Sequence, residues 1–122
     1  MRVLVVDDDE SIREFVNLAL TDEGYEVLTA HDGAAALDVI RRHPPRVILL
    51  DMRMPVMDGW EFARRYREES TPRAPIIVMT AARDAATRAA EISAEAYLGK
   101  PFDLDDLLAV VRRFSPGDVG GQ

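Results

Sequence analysis

Apolar positions along the chain fall into two alternating patterns. Short aliphatic runs recur at Val3–Val6, Val47–Leu50 and Ile76–Met79, with weaker runs at Glu26–Ala30 and Ala96–Leu98. Unbroken apolar runs of this length predict strands buried on both faces. Between the runs, apolar residues return every three or four positions, the spacing of one helical face. Ile12, Phe15, Val16, Ala19 and Leu20 form one stripe, and Ala34, Leu37 and Ile40 a second. Phe62, Ala63 and Tyr66 form a third, Ala86, Ala89, Ala90 and Ile92 a fourth, and Leu104, Leu107, Leu108 and Val111 a fifth.

The punctuation agrees with that division. Gly24 suits a left-handed stop after the first helix. Asp32-Gly33 opens the second helix and Pro44-Pro45 closes it; Asp58-Gly59 opens the third and Thr71-Pro72 follows it. Asp9 and Asp103 are good N-caps for the first and last helices. Strand and helix therefore alternate five times, which predicts an α/β fold with a parallel sheet between helical layers. No internal repeat is visible. From Ser115 to Gln122 the periodicity is lost, so 115–122 reads as a flexible tail or the start of a linker.

Composition narrows the possibilities. A length of 122 residues suits one domain. With no cysteine there is no disulfide framework, thiolate metal site or Cys nucleophile. No apolar run approaches the ~18 residues of a membrane helix. The apolar start, Met1 to Val6, is too short for a signal peptide, so the expected location is the cytoplasm, away from membranes. A net charge of −7 argues against nucleic acid as a direct partner.

In open α/β sheets, ligands bind at the C-terminal ends of the strands. The first strand ends in Asp7, Asp8 and Asp9, and the third in Asp51. The fourth ends in Thr80 before the small Ala81 and Ala82, and the fifth in Lys100-Pro101. One rim therefore gathers carboxylates, a hydroxyl and an ammonium. Clustered carboxylates repel unless a cation joins them. Oxygen-only donors, with His31 and His43 expected away from the rim, point to Mg2+.

These segments resemble the receiver domain of two-component response regulators. Val3-Leu4-Val5-Val6-Asp7-Asp8-Asp9 looks like that family's first strand and acidic pair. The stretch from Val47 through Asp51-Met52-Arg53-Met54-Pro55 to Asp58-Gly59 looks like its phosphoacceptor segment. Ile77-Val78-Met79-Thr80-Ala81 and Tyr97-Leu98-Gly99-Lys100-Pro101-Phe102 look like its last two strands. The resemblance covers residues 1–114. It implies a flavodoxin-like, three-layer (βα)5 sandwich with a five-stranded parallel sheet in the order 2-1-3-4-5. It also implies that Asp51 accepts a phosphoryl group from a histidine kinase or phosphotransfer protein. Asp8, Asp51 and the main-chain carbonyl of Arg53 would bind Mg2+ directly, and Asp7 mainly through water. Thr80 would hydrogen-bond the phosphoryl group, Lys100 would pair with it, and Tyr97 would be the aromatic switch. The signal would pass to the surface of the fourth helix, fifth strand and fifth helix, and on to an output domain or protein.

Such a chain is a signalling module rather than an enzyme, with self-directed phosphoryl transfer and slow autodephosphorylation expected. The chemistry stands on the residues as well. A carboxylate nucleophile gives an acyl phosphate, and the protein's part is alignment and charge neutralisation. Phosphorylation adds ~1.5–2 negative charges at Asp51, which can draw Thr80 inward and open space for Tyr97. The Arg53 side chain is expected at the mouth of the site, shielding the phosphoryl group.

There are departures. The stretch from Thr80 to Lys100 is shorter than the family's usual spacing. Ser93-Ala94 stands where Gly-Ala is usual, and Ala96 where an acidic residue often precedes the tyrosine. Part of a charge set used for dimerisation is thus missing, and the unphosphorylated chain is expected to be a monomer. Two other readings compete. A haloacid-dehalogenase-like phosphatase would use Asp7 as its nucleophile, from Asp7-x-Asp9. A phosphorylation-independent interaction module would keep the same residues unused. A flavin-binding domain fits the fold but needs a phosphate-cradling loop after the first strand, where this chain has Asp7-Asp8-Asp9-Glu10.

Overall fold

Strands and helices alternate from the first residues onward: β1 (Arg2–Val6), α1 (Glu10–Asp22), β2 (Glu26–Ala30), α2 (Gly33–Arg42) and β3 (Val47–Asp51). Then come α3 (Gly59–Glu69), β4 (Ile76–Ala81), α4 (Ala82–Glu91), β5 (Ala96–Lys100) and α5 (Leu104–Arg112). The computed structural model describes residues 1–69 and 73–115. The Thr71-Pro72 punctuation and the tail from Pro116 to Gln122 lie outside the described residues.

The strands form one parallel sheet in the order β2-β1-β3-β4-β5, as expected. Alternate residues of each strand face opposite layers. Val3, Val5, Val47, Leu49, Ile77 and Met79 pack with Val16 and Leu20 of α1 and with Leu107, Leu108 and Val111 of α5. Leu4, Val6, Ile48, Leu50 and Val78 pack with Leu37 and Ile40 of α2, Phe62 and Tyr66 of α3, Ala89 of α4 and Ile92 just after it. The sheet thus carries two separate cores, and its rigid C-terminal edge stands between them.

The helix boundaries follow local chemistry. Asp9 accepts hydrogen bonds from the Ser11 and Ile12 amides at 2.8 and 3.4 Å. Asp32, Asp58 and Asp103 cap α2, α3 and α5 in the same way, at 2.8, 2.9 and 2.9 Å. Gly24 takes φ +93°, the left-handed stop expected after α1. Ser93 takes φ +53° after α4, a conformation that favours glycine. Arg67 of α3 donates to the Ile92 and Ser93 carbonyls, satisfying the end of α4 from outside.

The structure corrects several details. β3, β4 and β5 run further than their apolar runs, because Asp51 pairs with Met79, Thr80 with Gly99 and Ala81 with Lys100. In α4 the buried face is Ala85, Ala89 and Ile92, while Ala86 and Ala90 are exposed. Phe15 and Leu104 lie outward on α1 and α5, where the stripes place them inward. His31 follows β2 and so shares the sheet's C-terminal edge, contrary to the sequence expectation. It is exposed there, with Nε2 3.5 Å from Asp32.

Candidate functional site

The strand ends bring Asp7, Asp8, Asp51, Thr80 and Lys100 to one edge of the sheet. β1 and β3 are neighbours, so the residues that follow Val6 and Leu50 meet. Ligand oxygens of Asp7, Asp8 and Asp51 all lie within 4.8 Å of one another. Asp7 is fully buried, Asp51 is 7% exposed and Asp8 is open to solvent. β5 lies two strands from β3, and Lys100 at its end reaches across. Its Nζ donates to Asp7 Oδ2 at 2.8 Å and stands 3.6 Å from Asp51 Oδ1.

The Asp7 side chain has no idle oxygen. Oδ1 accepts from the Asp9 amide at 2.9 Å and Oδ2 from Lys100, while the Asp7 carbonyl accepts from Arg13 at 2.8 Å. A buried carboxylate so engaged is a poor nucleophile, which counts against the phosphatase reading through Asp7. Asp51 is different: it meets Lys100 only at longer range and faces the exposed Asp8. Its carboxyl is pushed up to about 6, first by burial and then by the charge of Asp7, with Lys100 pulling the other way. Burial pushes the Lys100 ammonium down, but the hydrogen bond to Asp7 and the charge of Asp51 raise it on balance, so it stays charged.

The donor set is all oxygen and carries surplus negative charge. A hard divalent cation fits both properties, and the upward push on Asp51, from burial first and the Asp7 charge second, is a cost that such an ion offsets. The loop that follows Asp51 is fixed by Met52, Met54 and Met57, all buried in the α2–α3 core. Gly59 allows α3 to start close beneath it, since a Cβ there would lie 2.6 Å from Met52 Sδ. Gly99 has a similar role beside the site, where a Cβ would lie 2.6 Å from Ala82 Cα.

Thr80 is half-buried at the end of β4 and pairs with Gly99. Tyr97 points outward from β5 and is 54% exposed. The Arg53 side chain, expected at the mouth of the site, lies instead over Trp60, with Cζ 5.4 Å from the ring centroid. Sequence reasoning missed Arg13 and Trp60. Arg13 is a half-buried residue in the first turn of α1, where nothing in the pattern announces a bond to the Asp7 carbonyl. Trp60 was open to notice as the only tryptophan.

Comparison with known proteins agrees with this geometry. The sequence model described as "Response regulator receiver domain" matches residues 3–112. The response regulator MprA of Mycobacterium avium (strain 104) is 44% identical over 124 residues, covering 97% of this chain and 54% of that protein. MprA of Mycobacterium tuberculosis H37Rv is 43% identical over 125 residues, covering 98% and 54%. The chain therefore spans about half the length of the curated relatives it matches. Among solved structures, the chemotaxis response regulator CheY4 of Vibrio cholerae superposes with a TM-score of 0.85 at 38% identity, covering 93% of this chain and 98% of that one. The receiver domain of NtrX from Brucella abortus gives 0.82 at 32% identity, covering 91% and 95%. With the acidic strand ends, the opposed lysine and the 2-1-3-4-5 sheet already in place, these matches settle the family: the chain belongs to the receiver domains of response regulators, the phosphoacceptor switches of two-component signalling.

Proposed function

We propose that Asp51 is the phosphoacceptor and that a histidine kinase or phosphotransfer protein is the donor. The observation that carries this is the unequal treatment of the buried carboxylates. Asp7 is consumed by the Asp9 amide and Lys100, both within 2.9 Å, while Asp51 meets Lys100 only at 3.6 Å. In this reading an Asp51 oxygen forms the new bond to phosphorus as the donor's bond to phosphorus breaks. Lys100 swings from Asp51 toward the incoming oxygens and stays anchored by Asp7, and the Thr80 hydroxyl donates to the phosphoryl group.

Asp8, Asp51 and the Arg53 carbonyl are the residues that would hold Mg2+ directly, with Asp7 acting through water. The bound ion supplies charge neutralisation on the transferring group. The switch runs from Thr80 to Tyr97: as Thr80 moves inward, the exposed Tyr97 ring turns toward the space it leaves. The readout surface is α4, β5 and α5. Residues 1–114 form the receiver unit. The unphosphorylated chain is a monomer, acts in the cytoplasm, and loses its phosphoryl group by slow autodephosphorylation. Among the described residues no helix is long and apolar enough to cross a membrane.

The test is labelling by acetyl phosphate. Wild-type protein takes up one phosphoryl group when Mg2+ is present, and Asp51→Asn takes up none. Stable labelling of Asp51→Asn at the wild-type level refutes the assignment.

A further inference from the structure

Trp60, at the second position of α3, is the centre of a cluster that phosphoryl transfer leaves unused. Arg53 lies over its ring at 5.4 Å, and Arg88 of α4 lies 5.6 Å from the same centroid. The indole Nε1 donates to Glu91 Oε1 at 2.9 Å, and Glu91 also accepts from Arg88 at 2.8 Å. The hydrogen bond from Arg88, then that from Trp60, holds the Glu91 carboxyl below its ordinary range, and Arg53's charge adds to this. One ring therefore joins the loop after Asp51, α3 and α4.

Arg53 starts two residues after Asp51, at the rim, yet its guanidinium rests on the ring. Among the described residues it forms no ion pair. Two partners compete for it once Asp51 carries a phosphoryl group. A guanidinium over an exposed aromatic face gains about 0.5–1 kcal/mol. A hydrogen bond between charged groups gains more, about 1.5–3 kcal/mol. The phosphoryl group therefore wins, by a margin that the indole narrows.

We propose that Trp60 is a positioning residue that acts through Arg53. It seats the guanidinium away from Asp51 in the unphosphorylated chain and competes for it afterwards, so the ring sets how well Arg53 shields the acyl phosphate from in-line water. This rests on Asp51 being the phosphoacceptor. Because Trp60 also bonds Glu91, the seat is tied to α4, and a shift of α4 alters the competition.

The experiment follows loss of label after donor removal, at saturating Mg2+, in wild type, Trp60→Leu, Arg53→Ala and the double variant. Arg53→Ala shortens the lifetime several-fold, because the shield is gone. Trp60→Leu lengthens it about two- to fivefold, the equivalent of the 0.5–1 kcal/mol removed with the ring. In the Arg53→Ala background, Trp60→Leu changes nothing. Trp60→Phe, which keeps an aromatic body in the same place, gives a smaller change in the same direction. A spectroscopic arm needs only folded wild type and Arg53→Ala: Trp60 emission moves to longer wavelength on phosphorylation as Arg53 leaves the ring, and Arg53→Ala shows no such shift. An unchanged or shorter lifetime in Trp60→Leu and Trp60→Phe overturns the proposal, as does equal lengthening without Arg53. Wild type that labels on Asp51 but ignores Trp60 refutes this inference alone. Wild type without label on Asp51 refutes the phosphoacceptor reading, and this inference with it.

Discussion

Asp51→Asn in metal-free protein raises stability at neutral pH far more than in mild acid. The Asp51 carboxyl stands at about 6 in the folded chain against an ordinary 3.8, with burial as the first cause. It therefore binds its proton more tightly folded than unfolded. Between those two values the folded state holds more protons, so stability falls as pH rises through the window, and above it the full penalty remains. At 1.36 kcal/mol per pH unit, ionising Asp51 costs the fold about 3 kcal/mol. Asparagine keeps the shape and carries no charge, so it avoids that cost. Lys100 still holds Asp7 at 2.8 Å and is not orphaned.

Urea unfolding in EDTA reads the effect directly. With ordinary and folded values of 3.8 and about 6, the variant's advantage is about 3 kcal/mol at pH 7.5 and about 1 kcal/mol at pH 4.5. In thermal melts the larger figure is roughly 10 °C for a chain of this size. Adding Mg2+ at pH 7.5 narrows the gap, because the ion stabilises the ionised wild-type site and gains less from asparagine. An advantage equal at both pH values, or absent at 7.5, refutes the claim that buried charge at Asp51 is the cost. An advantage untouched by Mg2+ refutes the claim that the cation offsets this cost.

Two further outcomes test the division of labour around the site. Asp8→Ala weakens Mg2+ binding at least tenfold in a calorimetric titration, while Asp9→Ala leaves it near wild type and costs about 1 kcal/mol of stability as a lost N-cap; equal losses of affinity would mean the ligand choice is wrong. Val56, with φ +67° and 83% exposed, holds a β-branched side chain in the left-handed region with little packing to lose. Val56→Asn stabilises by about 1 kcal/mol in urea unfolding, and a neutral or destabilising result shows that the Val56 side chain makes a contact worth that strain.

The central strands were plain in the sequence because β1 and β3 are buried on both faces, so every position but the terminal Arg2 and Asp51 is apolar. The weaker runs, Glu26–Ala30 and Ala96–Leu98, prove to be the sheet's two edges, where half the positions meet water and the pattern thins. Strand ends were misjudged where function takes over. Thr80, Gly99 and Lys100 are in the ladder by backbone pairing, but Thr80 and Lys100 are polar and Gly99 must stay bare beside Ala82, so hydrophobicity stops before the strand does. The α4 stripe slipped because Ala85, Ala86, Ala89 and Ala90 are chemically alike and carry no phase; Ile92, buried, is what sets it. The site residues were legible because charge at the end of a buried strand has few structural uses. Trp60's hold on Arg53 was not, since it needs the position of α4 as well as the loop.

The one lysine of the chain explains a choice the charges alone leave open. Every other basic side chain is arginine. Elsewhere the planar fork serves well: Arg41 meets Glu69 through two nitrogens at 2.9–3.0 Å. Those are fixed contacts, and a rigid fork suits them. At residue 100 the cation holds Asp7 at 2.8 Å and stays 3.6 Å from Asp51, and in the proposed reaction it changes partner when charge arrives there. A compact ammonium with three rotatable donors can keep its bond to Asp7 Oδ2 and redirect another donor, with the 3.6 Å gap to Asp51 leaving room for the change. A guanidinium seated on both carboxylates would fill that gap in the resting chain. The site therefore pairs a compact ammonium, anchored on Asp7 and 3.6 Å from Asp51, with an arginine at 53 whose guanidinium rests on the Trp60 ring.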